Sequence, residues 1–135
     1  GGDAATVVAT IANGRLGVMP AWGPALGPKG VDEVVAYVQK LSGQQADETL
    51  ASAGEAHFQL MCVACHGVDG KGMAALGAPN LTDDIWIYGG DTATLKQTVN
   101  TGRNGQMPAW NDKLGEQRVK LLAAYVTKLA QDGSN

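Results

Sequence analysis

The only two cysteines of the chain stand close together, in the run Cys62-Val63-Ala64-Cys65-His66. On a helix, positions 62, 65 and 66 share one face, because they are separated by three and four residues. Two thiols on that face can bond the two vinyl groups of one porphyrin while the imidazole binds its iron. Covalent haem attachment is the specific meaning of a Cys-x-x-Cys-His run. The motif therefore predicts one haem c, held covalently by Cys62 and Cys65, with His66 as an axial ligand.

Three other interpretations of the cysteine pair have less support from the sequence. A disulfide across two intervening residues would close almost no loop and would stabilise little. A zinc site would need a second ligand pair, but His57 is the one other histidine and there is no further cysteine. His57 lies on the same predicted helix as the motif and is expected to be partly exposed. A thioredoxin-like dithiol stays open as an alternative, although that motif normally opens a helix after a strand and gives the histidine no task.

A side chain that fills the sixth position of the haem iron is typical of electron-transfer proteins, whereas an open sixth position is typical of proteins that bind small molecules at the iron. Among the four methionines, Met61 is too close to the motif to reach the opposite haem face, and Met73 follows the motif closely in a glycine-rich loop. Met107 lies far enough along the chain to wrap around the haem edge. Pro108 would hold that loop rigid. We therefore predict Met107 as the sixth ligand, with a core methionine as the alternative.

The chain also contains an internal duplication. Shifted by 88 residues, Thr10–Leu41 aligns with Thr98–Leu129, and sixteen of these thirty-two positions are identical. The run Met-Pro-Ala-Trp occurs in both copies, at 19–22 and at 107–110, at the same distance from a Gly-Arg pair. Self-similarity at a fixed spacing indicates duplication.

The duplication predicts a partial domain followed by a complete one. No Cys-x-x-Cys-His run precedes the first copy. We predict residues 1–43 to be the C-terminal half of a first domain whose haem-binding half is missing, 44–53 to be a linker, and 54–135 to be the complete domain. The half domain must be held by the complete domain or by exchange with a neighbouring chain through residues 1–42. In an exchanged dimer, Met19 of another molecule would compete as ligand.

Apolar residues at helical spacing predict helices over 31–41, 54–65, 92–100 and 116–130. Asp91 is placed to cap the third of these helices. Residues 67–84 are predicted to form a glycine-rich loop, and no alternating run predicts a strand. The fold is therefore expected to be all-α, with long loops around the haem.

Composition narrows the class of partner. The net charge of −3 argues against nucleic acid, because phosphate binding needs a basic face. Only 5% of the residues are aromatic, so a large flat apolar group would help to fill the core. The longest nearly apolar stretch, residues 4–12, is too short to span a bilayer.

Four motifs carry a resemblance to a known family: Cys62-Val-Ala-Cys-His66-Gly, Gly77-Ala-Pro-Asn-Leu-Thr82, Asp84-Ile-Trp-Ile-Tyr-Gly-Gly90 and Gly102-Arg-x-Gly-x-Met-Pro-Ala109. With them the chain resembles class I cytochrome c domains, and more narrowly the dihaem subunit CcoP (FixP) of cbb3-type cytochrome c oxidases. The resemblance spans essentially the whole chain. Such a subunit should also carry a membrane helix and a first haem motif, and neither is found here, so we expect a chain shortened at its N-terminus.

The resemblance implies roles for further residues. The Pro79 carbonyl should accept a hydrogen bond from the ring nitrogen of His66 that faces away from the iron. Trp86, Tyr88, Arg103 and Trp110 become candidates for the haem edge and its propionates. Ordinary packing is the alternative for the aromatic residues. Arg103 is the stronger candidate, because two propionates need a positive counter-charge.

The resemblance also implies a function. The chain would transfer electrons through a His66- and Met107-ligated haem c, as an electron-entry subunit and not itself an enzyme. It would accept electrons from a donor cytochrome c and pass them to the other subunits of a haem–copper oxidase. Covalent haem places it on the periplasmic side of the bacterial inner membrane. The alternative is a haem c sensor or ligand-binding domain with a weak sixth ligand.

Overall fold

The computed structural model describes residues 3–132, which are mainly helical. Its elements, in chain order, are α1 (Ala4–Asn13), β1 (Arg15–Met19), α2 (Gly23–Leu41), α3 (Glu48–Met61), α4 (Val63–His66), a 3-10 turn (Ala74–Leu76), α5 (Thr92–Thr101), β2 (Arg103–Met107), α6 (Asn111–Leu114) and α7 (Glu116–Asp132). The all-α class is confirmed. Strands β1 and β2 form a two-stranded sheet that the periodicity did not predict, because neither five-residue strand alternates apolar with polar residues over a useful length.

Aspartate caps fix where α3 and α5 begin. The Asp91 carboxylate accepts a hydrogen bond from the backbone N–H of Thr94 at 3.0 Å, so the predicted cap of α5 is confirmed. Asp47 caps α3 in the same way and accepts from Thr49 N and Leu50 N. Because of that cap, α3 begins at Glu48, and residues 48–53 of the predicted linker are helical instead.

Helix α2 extends further towards the N-terminus than its apolar pattern predicts. Its regular geometry is interrupted at Gly27, whose φ of 66° is left-handed, and Pro28 follows. Proline suits the first turn of a helix, since its missing N–H would have no intrahelical partner there. Regular helical geometry therefore resumes at Pro28 and continues through the long apolar part of α2.

The chain divides into two compact units, which are described separately. Unit 2 comprises residues 17–104, with α2, α3, α4 and α5. Its apolar core contains Val31, Val34 and Val35 from α2, together with Phe58 from α3. Helices α2 and α3 approach so closely at Gly54 that a methyl group there would overlap the carbonyl oxygen of Glu33.

Unit 1 contains the described residues 3–16 and 105–132, with α1, α6 and α7. Its smaller core is formed by Ile11, Val119 and Ala123. The backbone N–H of Trp110 donates to the carbonyl of Ile11 at 3.1 Å, which ties the segment before α6 to α1. Among residues 3–132, no helix has the length and the hydropathy needed to cross a bilayer.

Candidate haem site

The cysteine motif lies where α3 ends and the short helix α4 follows. The carbonyl of Cys62 accepts hydrogen bonds from the backbone N–H groups of Cys65, at 3.2 Å, and His66, at 2.9 Å. These bonds hold the motif in one helical turn, as its spacing predicts. Both cysteines are free and half-buried, and burial raises the pKa of the Cys62 thiol to about 11. A single helical turn therefore carries two free thiols and an imidazole.

The imidazole of His66 is buried, with 7% of the residue exposed. Its Nδ1 lies 3.1 Å from the carbonyl oxygen of Pro79, the contact that the resemblance implies. A carbonyl only accepts, so the ring proton sits on Nδ1 and the lone pair on Nε2 is left available for a metal. Nε2 makes no hydrogen bond to any residue between 3 and 132. Burial lowers the pKa of His66, and the bond to Pro79 partly opposes that shift.

A tight loop brings Pro79 back to the imidazole. The N–H of Gly72 donates to the His66 carbonyl at 2.8 Å, and Met73 and Ala78 exchange two backbone bonds of 3.1 Å. Gly72 has a φ of 78°, and a methyl group there would clash with the backbone of Ala78 and Pro79. Glycine at position 72 is therefore required twice, by its left-handed backbone and by this close approach.

Arg103 is held by two neighbours within unit 2. Its Nε donates to Thr98 Oγ1 at 2.9 Å, and its guanidinium lies 4.3 Å from the ring centre of Tyr88. No carboxylate among residues 3–132 forms an ion pair with Arg103. Tyr88 is half exposed, at 50%. Arg103 is thus an oriented positive charge that is free to pair with an anionic group such as a propionate.

The two predicted tryptophans belong to different units. Trp86 packs against the core of unit 2, and its ring lies against Gly90. The Trp86 indole N–H makes no hydrogen bond to a described residue. Trp110 belongs to unit 1, where it packs on the core around Ile11 and carries the Lys113 ammonium 5.1 Å from its ring centre.

The two repeated methionines also belong to different units. Met107 lies in unit 1 and is 36% exposed. Met19 and Trp22 lie in unit 2, where they pack against the same apolar cluster as Cys62 and Val63. The sequence predicts Met19 only as a competing ligand from another molecule in an exchanged dimer. The duplication shows that two similar segments could pack against the haem motif. It does not predict which of the two copies does so.

The chemistry of this donor set fits a covalently bound haem. Two free thiols, a neutral imidazole with an unused Nε2, and an unpaired guanidinium lie in one unit. The loops after the motif also carry exposed large apolar side chains, including Ile85 and Ile87, that suit contact with a porphyrin. The helical fold and this motif define a class I cytochrome c domain.

Comparison with known proteins narrows the class to a family. Residues 49–126 match the family model described as cytochrome c oxidase, cbb3-type, subunit III. The chain belongs to this family, and its cofactor class is haem c. It is 49% identical to the cbb3-type cytochrome c oxidase subunit CcoP of Rhodobacter capsulatus over 111 residues, which are 77% of this chain and 37% of the relative.

Two further relatives carry the same description. The CcoP subunit of Cereibacter sphaeroides is 42% identical over 93% of this chain and 47% of its own length. That of Rubrivivax gelatinosus is 42% identical over 97% of this chain and 43% of its own length. The chain thus spans less than half the length of these relatives.

Proposed function

We propose that this chain carries single electrons through one haem c that is bound by Cys62, Cys65, His66 and a methionine. The observation that carries the proposal is the bond between His66 Nδ1 and Pro79, because it leaves Nε2 as the nitrogen that can bind iron. Membership of the oxidase subunit family supports electron transport as the setting. The chain supplies a conduit for electrons, while the reduction of oxygen belongs to another subunit.

The side chains have separate tasks in this proposal. Cys62 and Cys65 would hold the haem through two thioether bonds; addition of each S–H across a vinyl double bond, sulfur to one carbon and hydrogen to the other, would need no oxidant. When bound, the haem supplies a one-electron couple between ferrous and ferric iron. Pro79 orients the imidazole and strengthens it as a donor. Arg103, with Tyr88 beneath it, is placed to pair with a propionate, and Trp86 offers an indole N–H.

A methionine thioether is the proposed sixth ligand. Thioether sulfur favours the ferrous state, so a His/Met pair raises the reduction potential. Ligands that stay bound in both states keep small molecules from the iron. The sequence predicts Met107 for this role, with Trp110 beside it.

The family supports the other oxidase subunits as partners, and the donor cytochrome c is part of our proposal. In each cycle one electron arrives from a donor cytochrome c and one electron leaves towards the other subunits of a haem–copper oxidase, with no bond made or broken. We place this exchange on the periplasmic side of the bacterial inner membrane. The exchanged dimer through residues 1–42 stays a prediction, which the mass of the full chain in solution tests.

Visible spectra with carbon monoxide test the proposal. The haem-loaded chain should show a six-coordinate c-type spectrum, a far-red sulfur-to-iron band in the ferric state, and little binding of carbon monoxide when reduced. Rapid and complete binding of carbon monoxide would instead identify the alternative, a sensor or ligand-binding domain. A chain without covalent haem would leave the dithiol as the explanation of the cysteines.

A further inference from the structure

A buried carboxylate lies between two helices of unit 2. Glu33, on α2, is the one acidic residue among residues 3–132 that is buried, with 7% of the residue exposed. Its Oε2 lies 3.0 Å from Nε2 of His57 on α3, and its Oε1 lies 3.6 Å from the ammonium of the exposed Lys29. Burying a carboxylate is costly unless it is paired and hydrogen-bonded. Among the described residues, His57 is the one hydrogen-bond donor to this side chain.

The two ring nitrogens of His57 have different surroundings. An ionised carboxylate only accepts hydrogen bonds, so Nε2 carries a proton and donates it to Glu33. Nδ1 makes no hydrogen bond to any residue between 3 and 132. The side chain is 34% exposed, so water reaches the ring. Nδ1 is therefore the atom at which a second proton can bind and from which it can leave.

A proton bound at Nδ1 would be compensated by the charge of Glu33. Protonation turns the existing hydrogen bond into an ion pair without moving either side chain. Lys29 is the opposing charge on α2, and it lies mainly in solvent. Helix α4 also contacts α3, and its titratable side chains, Cys65 and His66, are those assigned to the haem. Among residues 3–132, no carboxylate besides Glu33 forms an ion pair with His57.

The helix that carries His57 also leads to the haem motif. Cys62 follows five residues later, about 7.5 Å along the helix axis. Its backbone N–H still donates to the carbonyl of Phe58, so the helical path reaches the cysteine without a break. Phe58 is fully buried, and Cys62 packs against the same core. Charges separated by buried protein are screened less than charges separated by water. A charge on His57 should therefore be felt by a haem that is bound at Cys62.

We infer that His57 and Glu33 form a proton-binding site that is coupled to the redox state of the haem. The inference rests on the proposed haem c and adds a regulation of it by pH. When an electron reaches the iron, the site loses one positive charge, and Nδ1 of His57 takes up a proton from water. When the electron leaves, the proton returns to water. Because reduction is accompanied by proton uptake, the reduction potential should fall as the pH rises.

Redox titration of the haem-loaded chain tests the inference from roughly pH 5 to pH 8, the range in which imidazoles ordinarily change their charge. We expect the potential of the unsubstituted chain to fall with rising pH, and that of His57→Gln to vary much less. Glutamine keeps an N–H for the carboxylate of Glu33. Asp32→Asn is the control, because it removes the neighbouring carboxylate of α2, which is partly exposed and pairs with Lys96. Its pH dependence should match that of the parent. A dependence that persists unchanged in His57→Gln overturns the inference.

The imidazole of His57 also gives a direct readout. The chain has two histidines, so the ring resonances of His57 can be followed by NMR beside those of His66. We expect the ring to titrate at higher pH in the ferrous chain than in the ferric chain. This comparison decides the matter if His57→Gln does not fold.

The outcomes separate the inference from the proposed function. Equal titration of His57 in both redox states, in a chain with covalent haem, overturns the inference and leaves the proposed function intact. A chain that binds no covalent haem shows that the proposed function has failed, and the inference falls with it.

Discussion

The backbone N–H of Trp22 donates a hydrogen bond to the carbonyl oxygen of Val99 at 2.9 Å. The repeat equivalents of these residues, Trp110 and Ile11, make the corresponding bond at 3.1 Å. In each bond the tryptophan comes from one copy of the repeat and the helix from the other. Helix α5 is therefore bonded to Trp22 of the first copy, and not to Trp110, which follows α5 in the chain. Each of the two units is therefore built from residues of both copies of the repeat.

The first prediction concerns Gly30, where α2 meets His57. Gly30→Arg introduces the residue of the second copy at this position. Arginine gains about 1 kcal/mol over glycine in helix propensity, but overpacking costs about 1–3 kcal/mol. Given both effects, we expect the free energy of unfolding to fall by up to about 2 kcal/mol in denaturant titrations.

Lys29→Arg is the control, because it puts arginine at the exposed neighbouring position of the same helix. Its free energy of unfolding should stay within about 0.5 kcal/mol of the parent value. A Gly30→Arg chain that is more stable than the parent by the full helix-propensity gain of about 1 kcal/mol would contradict the close packing of α2 on α3.

The second prediction concerns the loop that orients His66. Gly72→Ala would place a methyl group against the backbone of Ala78 and Pro79, in a residue with φ of 78°. We expect it to weaken the bond between Pro79 and the His66 imidazole, and so to shift the reduction potential and lower stability.

Gly43→Ala separates this effect from backbone strain. Gly43 has a φ of 76°, but nothing lies within 4 Å of its built Cβ. The strain of a left-handed alanine, about 1–2 kcal/mol, is therefore common to both variants. Only Gly72→Ala should alter the potential, and identical behaviour of the pair would exclude a role for the loop in orienting His66.

How far the sequence predicts this molecule depends on the range of the interactions involved. The Asp91 cap could be predicted because its partner, Thr94, lies three residues away. The cap at Asp47 rests on equally local bonds, but the polar composition around it favoured a linker. The packing of α2 on α3 could not be predicted, because the equivalent helices α2 and α7 carry nearly the same apolar pattern. The choice depends on contacts of Gly30 and Glu33 with His57, which sequence neighbours do not reveal.

The third prediction concerns the charge of Arg103. If its guanidinium pairs with a propionate, Arg103→Gln removes a positive charge near the iron. Ferric iron carries one more positive charge than ferrous iron, so this loss stabilises the ferric state and should lower the reduction potential. Arg103→Lys keeps the charge but not the planar contact with Tyr88, and we expect a smaller decrease.

Arg15→Gln is the matched control, since Arg15 is the repeat equivalent of Arg103 and is exposed. Redox titration of the three variants should show the largest shift for Arg103→Gln. A potential that is unchanged in Arg103→Gln would remove the propionate role and leave Arg103 as a packing partner of Tyr88.

The mass of the denatured chain after extraction with acidified organic solvent tests the central claim most directly. The chain is produced in a host that attaches c-type haem, alongside a variant with both Cys62→Ser and Cys65→Ser. We predict that the parent chain keeps the added mass of one haem and that the double variant does not. A parent chain that loses all its colour to the solvent, or that carries only the mass of the polypeptide, would contradict the account.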